Sequence, residues 1–177
     1  MNYRDQLVLT GKINDVGAYT RTNIDKSYRM GIELQGTIKA ASWMSVLGNI
    51  TLSENKVLDF TEYIDDYDEG VQLARNYRKS DISFSPSLVG TATVVFTPIA
   101  RTEFALIGKY VGRQYLDNTS NRNRSLAPFY TQDLRLRYTV REKLFNEIGF
   151  VFQINNLFNT LYEPNGYTFS YIYEKTL

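Results

Sequence analysis

The chain has 177 residues, and its 20 Lys and Arg nearly balance its 19 Asp and Glu, which leaves a formal charge of +1 and does not favour a strongly basic nucleic-acid-binding surface. Histidine and cysteine are absent, which excludes disulfides, thiol nucleophiles, histidine-based triads and zinc sites built on either residue. Hydrophobic residues make up 43% and aromatic residues 14% of the chain, with 14 tyrosines, and this composition favours ordered β-structure.

Apolar and polar residues alternate with a period of two along most of the chain, as in strands that have one apolar face. After a first predicted strand in Tyr3–Thr10, the clearest case is Ser27–Lys39, where Met30, Ile32 and Leu34 share one face. The remaining predicted strands are Met44–Ser53, Leu88–Phe96, Phe104–Tyr110, Tyr130–Val140 and Ile148–Ile154. No comparable stretch has the 3.6-residue period of an amphipathic helix, so the sequence predicts an all-β, antiparallel fold of about seven or eight long strands.

The predicted connections alternate in length. Short turns lie at Ala40–Trp43, Pro98–Arg101 and Arg141–Asn146, and long polar loops at Gly11–Asp25, Val57–Ser83, Leu116–Pro128 and Asn159–Tyr167. This order predicts an up-and-down meander with all short turns at one end. Predicted strands of about 10–14 residues exceed the ~5–6 usual in soluble sheets and match strands tilted across a bilayer.

The alternation by itself fits either a soluble β-sandwich ligand-binding module or an outer-membrane β-barrel. Aromatic residues cluster near the predicted strand ends, where girdles lie at the membrane interfaces, and this favours the barrel. They are Trp43, Tyr110, Tyr115, Phe129, Tyr130, Tyr138 and Phe145. The length also suits a complete eight-stranded outer-membrane barrel, which stays an alternative.

Several segments carry a family resemblance. Asn155–Tyr162, which reads NNLFNTLY, resembles the penultimate-strand signature of TonB-dependent outer-membrane receptors. Ser27–Leu34 resembles the family's recurrent strand start, in which G-x-E follows a polar or aromatic lead. Tyr3–Val8 is similar to the strand that precedes it, and Asn165–Tyr167 to the last outer loop. The segments occur in the family's order and span nearly the whole chain.

Physical roles can be assigned to some of these residues. Asn155, Asn156 and Asn159 are suited to satisfying backbone groups where a strand enters a loop, because asparagine tolerates the left-handed region. Gly31 permits a bulge or a close backbone approach within a strand. We therefore expect structural roles for the signature residues.

The resemblance implies that residues 1–177 form the C-terminal portion of a receptor barrel of about 22 strands, with no plug domain in this chain. Seven strands and the start of an eighth are expected, with Tyr167–Tyr173 beginning the last strand or leading to it. The first residues lack the features of a signal peptide and already lie in a strand, which indicates a piece of a longer protein.

The implied function is that of an outer-membrane transport receptor, energised by TonB, for uptake of a scarce nutrient, first of all an iron chelate such as a siderophore. The implied partners are outer-membrane lipid and lipopolysaccharide, the receptor's own plug domain, TonB and a small nutrient ligand, with no nucleic acid. No tuned acid–base couple and no Gly-rich phosphate loop is evident, so no catalytic residue, cofactor or enzymatic activity is expected. Asp66–Gly70 lacks the spacing of a calcium loop, and no metal site is expected.

Aromatic and arginine side chains in or near the outer loops are the candidate ligand-binding residues, because such groups suit a bulky chelate or a flat polar ligand. They are Tyr63, Tyr67, Arg75, Arg78, Arg122, Arg124, Tyr162 and Tyr167. Arg122 and Arg124 would also suit lipopolysaccharide phosphates. Charged residues on the polar strand faces are predicted to line the lumen and face the plug; they are Arg29, Glu33, Asp133, Arg135 and Arg137.

Overall fold

The computed structural model describes residues 1–141 and 146–174. Its strands are β1 Asn2–Ile13, β2 Tyr19–Ala41, β3 Met44–Asp66, β4 Val71–Asp81, β5 Leu88–Phe96, β6 Thr102–Val111, β7 Gln114–Tyr115, β8 Ser125–Leu126, β9 Phe129–Val140, β10 Ile148–Ile154 and β11 Tyr171–Ile172. Within these residues the single helical segment is a 3₁₀ turn at Arg122–Arg124, and none is a helix long and apolar enough to cross a membrane.

Seven strands form one antiparallel sheet in the order β1-β2-β3-β5-β6-β9-β10. This confirms the predicted all-β meander, and the bounds of β5 and β10 coincide with the predicted strands. Over the described residues β1 and β10 do not pair with each other, so the sheet is open. The closed eight-stranded barrel is therefore wrong for this chain, and so is the sandwich, because a second large sheet is absent from the described part.

On one face of the sheet, the apolar side chains of neighbouring strands lie opposite one another and form a continuous band, which we call the apolar band. One row in register consists of Ile38, Val46, Val94, Leu106, Leu134 and Ile154. The next row toward the short turns consists of Phe96, Phe104, Leu136 and Phe152. The band is open to the outside, since Ile38 is 68% and Phe152 61% exposed. A continuous exposed apolar band is what a barrel wall presents to lipid.

The opposite face of the sheet is polar. A representative row in register consists of Gln35, Asn49, Thr91, Lys109 and Thr131. The five residues predicted to line the lumen lie on this face, which we call the lumen face.

Aromatic residues mark both ends of the apolar band. Near the short turns Trp43 stacks on Phe96 with 6.2 Å between ring centroids. Tyr138 lies at this end of β9, and Tyr130 lies at the other end, opposite Tyr110 of β6. The eight-residue step from Tyr130 to Tyr138 corresponds to about 26 Å along the strand, or about 18–21 Å along the barrel axis at a tilt of about 35–45°, which is somewhat less than the ~25 Å height of a barrel's apolar band. Of the other residues in the predicted girdle, Tyr115 lies in β7 and Phe129 begins β9, while Phe145 and most of the predicted turn Arg141–Asn146 lie outside the described residues.

Two predicted loops are mostly strand. In place of a loop at Gly11–Asp25, β1 and β2 form a hairpin whose turn covers residues 14–18, and in place of a loop at Val57–Ser83, β3 continues to Asp66 and pairs with β4. At the second turn, the Asp66 Oδ1 accepts hydrogen bonds from the backbone N–H of residues 68 and 69. The sequence does not predict these strands, because polar residues dominate both segments and Asp59 interrupts the period-two pattern in β3.

The last described segment takes a different place from the one expected. Tyr171 and Ile172 pair in parallel with Asp65 and Asp66 of β3, and not with β10. The Thr168 N–H donates to the Gly11 carbonyl, 2.9 Å away, so the segment also contacts β1. It therefore lies between β1 and the C-terminal half of β3.

β2 and β3 separate where Asp59 interrupts the alternation. Their last paired residues are Lys26 and Leu58, and Asp59 has a φ of 56°, in the left-handed region that aspartate tolerates. Beyond it, Phe60 packs on the same buried cluster as Val57, although the two side chains would face opposite sides of a regular strand. The remaining cluster members are Val8, Ile24 and Ile82. The separation leaves a space between the N-terminal half of β2 and the C-terminal half of β3.

Candidate functional site

A cavity of about 230 Å³ lies in the space between the separated ends of β2 and β3. It is lined by Thr10, Lys12, Thr20, Thr22, Phe60, Thr61, Glu62, Tyr63, Asp117, Thr119, Thr168 and Ser170. Hydroxyl groups dominate this lining, beside two aromatic rings, two carboxylates and one ammonium. Such a mixture of apolar surface and converging polar groups is typical of a small-molecule site.

Glu62 is the centre of a buried hydrogen-bonded cluster at one side of the cavity. Its Oε1 accepts hydrogen bonds from Arg124 Nη1 and Ser170 Oγ, each at 2.5 Å, and its Oε2 accepts one from the Tyr77 hydroxyl at 2.8 Å. Arg124 Nη1 also lies 3.0 Å from Asp117 Oδ2. The cluster joins β3, β4, the connection between β6 and β9, and the segment before β11.

The hydrogen bonds to the Glu62 carboxyl group keep it ionised. Burial acts against its ionisation, but the donors Ser170, Arg124 and Tyr77 together outweigh burial and hold the pKa of Glu62 below its ordinary value. Burial, followed by the hydrogen bond to Glu62, raises the pKa of Tyr77. The cluster therefore contains a stable carboxylate whose charge is balanced by Arg124.

Asn118 docks the β6–β9 connection onto the strands. Its Oδ1 accepts a hydrogen bond from the Ser83 N–H at 2.9 Å, and its Nδ2 donates to the Leu9 carbonyl at 2.8 Å. The Asn118 carbonyl accepts a hydrogen bond from Ser80 Oγ. Asn118 is fully buried, so this connection forms a fixed wall of the cavity.

Four lining side chains have open hydrogen-bonding capacity. Within the part of the chain that the structure describes, Lys12 Nζ forms no ion pair. The side chains that form no hydrogen bond there are those of Lys12, Thr22, Tyr63 and Thr168. Both carboxylates, by contrast, are engaged by Arg124. The groups left for a ligand are thus one ammonium and three hydroxyls.

The predicted ligand-binding residues on the β3–β4 hairpin are spread out. Tyr63 lines the cavity and is 56% exposed. Tyr67, at the hairpin turn, packs edge-on against Tyr171 with 6.1 Å between ring centroids. Arg75 and Arg78 are exposed on β4 and do not line the cavity.

The other four predicted ligand-binding residues lie in the later connections. Arg122 is exposed in the 3₁₀ turn, whereas Arg124 is engaged by Glu62 and Asp117. Tyr162 stacks on Phe129 at 4.2 Å, and Tyr167 packs edge-on against Phe169 at 5.7 Å. Of the eight predicted ligand-binding residues, Tyr63 therefore lines the cavity directly, and Arg124 contacts it through its ion pair with the lining residue Glu62.

The sequence prediction missed most of the cavity. Glu62, Asp117, Ser170 and the threonines are far apart in sequence and have no motif spacing. The acidic stretch that contains Glu62 falls in the predicted polar loop Val57–Ser83, and no local signal indicates that Arg124 would reach it.

The predicted lumen residues contact neighbouring strands. Arg29 Nη1 donates to Asn55 Oδ1 at 3.3 Å and Ser85 Oγ at 3.2 Å. Arg135 Nη2 lies 3.4 Å from Glu103 Oε1, and Arg137 is opposite Glu103 in register. The two remaining predicted residues are Glu33, exposed on β2, and Asp133, whose Oδ1 accepts a hydrogen bond from the N–H of residue 156 at 2.8 Å.

The NNLFN segment has the structural role expected of it. Asn156 and Asn159 have φ values of 51° and 50°, in the left-handed region. The Asn156 side chain donates to the Thr160 carbonyl and accepts from the Thr160 N–H, at 3.0 and 2.9 Å. Asn155 Oδ1 accepts instead from the Gln153 side chain. The expected close approach at Gly31 is also confirmed, since a Cβ there would lie 2.5 Å from the Leu52 carbonyl oxygen.

Among residues 1–141 and 146–174, no group of three Asp, Glu, His or Cys side chains is placed to hold a metal ion. The turn Asp66–Gly70 uses its first carboxylate to cap backbone N–H groups. The polar groups of the cavity suit hydrogen bonding to a ligand.

Comparison with known proteins agrees with this architecture. The family model described as "TonB dependent receptor-like, beta-barrel" matches residues 1–157. The siderophore receptor PiuA from Acinetobacter baumannii is 16% identical, with a TM-score of 0.64, over 94% of this chain and 22% of that chain. A mutant of the ferric enterobactin receptor PfeA from Pseudomonas aeruginosa is 16% identical, with a TM-score of 0.53, over 90% of this chain and 22% of that chain. No curated protein sequence matches significantly.

At this level of identity, the two solved structures show a common fold. The chain spans about a fifth of the length of either receptor, 22% in each case.

Proposed function

Because the chain belongs to the TonB-dependent receptor β-barrel family, we propose that residues 1–177 form the C-terminal part of the barrel wall of an outer-membrane transport receptor. The observation that carries this proposal is the exposed apolar band, which stays in register from β2 to β10 and is backed by a polar face. That arrangement suits a wall between lipid and a plugged lumen. The plug domain would dock on the lumen face, which includes Arg29, Glu33, Asp133, Arg135 and Arg137.

The transported nutrient that we propose is an iron chelate, taken up with energy from TonB. The support is that the two solved structures named above are a siderophore receptor and a ferric enterobactin receptor. A receptor of this kind binds and translocates its ligand without chemical conversion, so no enzymatic role is proposed. Lipid and lipopolysaccharide would surround the apolar band in the outer membrane.

We place one ligand contact region at the cavity between β2 and β3. Tyr63 offers an exposed ring, and Lys12, Thr22 and Thr168 offer unused polar groups. Arg124 would position the cavity wall through Glu62. The other candidates in the outer connections are Tyr67, Arg75, Arg78, Arg122, Tyr162 and Tyr167.

Migration in detergent tests the membrane assignment. The full-length receptor that carries this chain should migrate faster on an SDS gel when unheated than after boiling, because a folded outer-membrane barrel resists SDS. A soluble sandwich would show no such shift. One band of unchanged mobility would contradict the proposal.

Uptake measurements test the nutrient and its energy source. Cells with the receptor should accumulate ⁵⁵Fe from one of a panel of iron chelates, and cells without the receptor or without TonB should not. Accumulation of a vitamin or an oligosaccharide instead would support the transport role but contradict the proposal that the nutrient is an iron chelate.

A further inference from the structure

We propose that Asn165 is a site of spontaneous deamidation, at which the backbone nitrogen of Gly166 displaces the side-chain amide as ammonia and Tyr19 assists the step. The proposal concerns the covalent chemistry of the chain itself and goes beyond the proposed transport function. It starts from the sequence, in which Asn165 is the single asparagine that is followed by glycine. Glycine has no Cβ, so its backbone can approach a neighbouring group more closely than that of other residues.

The Asn165 side chain is folded back onto the nitrogen that would attack it. The Gly166 N–H donates a hydrogen bond to Asn165 Oδ1, with 2.9 Å between nitrogen and oxygen. This contact holds the Gly166 nitrogen close to the adjacent Cγ, which is the atom with which it would form a bond. Atoms that are already held in such a near-attack geometry react faster than atoms that must first reach it.

Tyr19 contacts the same side-chain oxygen and would stabilise the negative charge that develops there. Its hydroxyl donates a hydrogen bond to Asn165 Oδ1 and lies 3.1 Å from the Gly166 carbonyl oxygen. The Tyr19 ring packs edge-on against Phe84, with 5.8 Å between ring centroids. A donor that is positioned on a developing oxyanion lowers the barrier to attack on the attached carbon. Tyr19 is therefore a positioned donor for the step at Asn165.

The site is open to the water that the reaction needs. Asn165 is exposed and Gly166 is partly exposed, in a stretch of the connection between β10 and β11 without helix or strand. Asn118 provides a contrast, because it is fully buried, its side chain is hydrogen-bonded through both Oδ1 and Nδ2, and threonine follows it. The combination of a following glycine, a close nitrogen and solvent access thus distinguishes Asn165.

The reaction balances with water as its only co-reactant. Hydroxide removes the Gly166 N–H proton, the nitrogen forms a bond to Asn165 Cγ, and the bond from Cγ to Nδ2 breaks as Nδ2 takes up a proton and leaves as ammonia. The product is a five-membered succinimide ring. One water molecule then opens the ring, at Cγ to give aspartate or at the backbone carbonyl carbon to give isoaspartate. No oxidant or reductant is needed.

The products would change the contacts of this connection. Each adds a carboxylate, and isoaspartate also lengthens the main chain by an extra carbon atom before Gly166. Gly166 lies against the β6–β9 connection, where an added Cβ would be 3.1 Å from Leu116 Cδ2. Two residues later, the Thr168 N–H donates to the Gly11 carbonyl. We therefore expect conversion to loosen the docking of the residues that follow, two of which line the cavity.

Ageing of the purified full-length receptor tests the proposal. The folded receptor in detergent would be incubated at mildly alkaline pH and digested in mild acid, and mass spectrometry would measure the conversion of carboxamide to carboxyl at each asparagine. Asn165 should convert, whereas Asn159, also exposed in the same connection but followed by threonine, should stay intact as the internal control. The folded receptor should react faster than a synthetic peptide of residues 160–171, which lacks Tyr19.

Two variants separate the contributions of the glycine and the tyrosine. Gly166→Ala should reduce the rate toward that of Asn159. Tyr19→Phe keeps the ring on Phe84 but removes the hydroxyl, and should slow conversion about threefold to tenfold, which is the effect of one hydrogen bond. The matched control is Tyr167→Phe, which removes a hydroxyl that has no hydrogen-bond partner among the described residues and should react like the wild type. The heat-modifiable band would verify that each variant is folded.

The outcomes are distinct for each step of the argument. An Asn165 side chain that stays intact like Asn159, or that converts more slowly in the folded receptor than in the peptide, would overturn the site, because the fold would then protect it. A rate in Tyr19→Phe equal to or above that of the wild type would overturn the assistance by the hydroxyl. Hydrogen exchange over residues 166–170 should become faster after conversion, and equal exchange would contradict the loosened docking. The gel shift tests the membrane assignment independently of all these results.

Discussion

The Arg124 guanidinium lies 2.5 Å from the Glu62 carboxylate, measured from Nη1 to Oε1, although the two residues are 62 positions apart. Their side chains are 12% and 6% exposed. The same Nη1 contacts Asp117 at 3.0 Å. This pair therefore fastens the β6–β9 connection to the β3–β4 hairpin and fixes the wall of the candidate cavity.

Replacing Arg124 should release this connection. In Arg124→Gln, the Glu62 carboxylate stays buried without its cation, and we expect a loss of about 3 kcal/mol in local stability. Hydrogen exchange in the full-length receptor should become faster over residues 112–128. Arg122→Gln is the control, because Arg122 is exposed in the same turn, and equal exchange in both variants would contradict the role of the ion pair.

The docking of the connection should depend on pH through Glu62. Its pKa is below the ordinary value of 4.5 in the folded protein, so the ionised form stabilises docking above that pH and the contribution is lost as pH falls below it. Exchange protection of residues 112–128, corrected for intrinsic rates, should be constant from neutral pH to about pH 5 and fall in stronger acid. In Glu62→Gln this acid step should be absent. An unchanged step would assign the titration to another group.

The alternation in the sequence predicted the sheet because one face must be apolar at every second position. Ser27–Lys39 carries that pattern without interruption and Tyr130–Val140 carries it with one polar residue, Gln132, on the apolar face, and the structure keeps both in register with their neighbours. The prediction depends only on periodicity, since the side-chain period of a strand is two. It therefore also placed Arg135 and Arg137 on the polar face.

The sequence does not predict the β3–β4 hairpin or the cavity, for two physical reasons. The left-handed φ of Asp59 breaks the alternation, so Val57 and Phe60 reach one cluster from positions that a regular strand would separate. The contacts of Glu62 with Ser170 and Arg124 are formed only by tertiary docking. A single sequence contains no local pattern for either feature.

The close strand approach at Gly31 should be intolerant of a side chain. A Cβ at this position would lie 2.5 Å from the Leu52 carbonyl oxygen, whereas a Cβ at Gly36, on the same strand, meets no atom within 4 Å. We expect Gly31→Ala to cost about 1–3 kcal/mol and Gly36→Ala far less. Urea unfolding of the receptor in detergent, followed by the heat-modifiable band, would measure the difference. Equal midpoints would contradict the approach seen between β2 and β3.

Charge reversal on the lumen face should impair transport without affecting membrane insertion. Arg135→Glu/Arg137→Glu would place two carboxylates beside Glu103, so we expect weaker docking of the plug and reduced uptake, with a normal heat-modifiable band. Adding Glu103→Arg restores opposite charges and should recover part of the uptake. Loss of the folded band in the double variant would mean that the two faces are reversed.

Leu34 and Gln35 offer the sharpest test of which face meets lipid, because they are adjacent on β2 and point to opposite sides of the sheet. Leu34 is 61% exposed in the apolar band, and Gln35 belongs to the polar row opposite Asn49. A lysine in the lipid-facing band costs about 2–4 kcal/mol near the bilayer midplane, whereas a lysine on the lumen face stays hydrated. Leu34→Lys should therefore lower the yield of folded, membrane-inserted receptor, and Gln35→Lys should insert like the wild type. Quantifying the heat-modifiable band in outer-membrane fractions compares the two, and the reverse order would place lipid on the polar face.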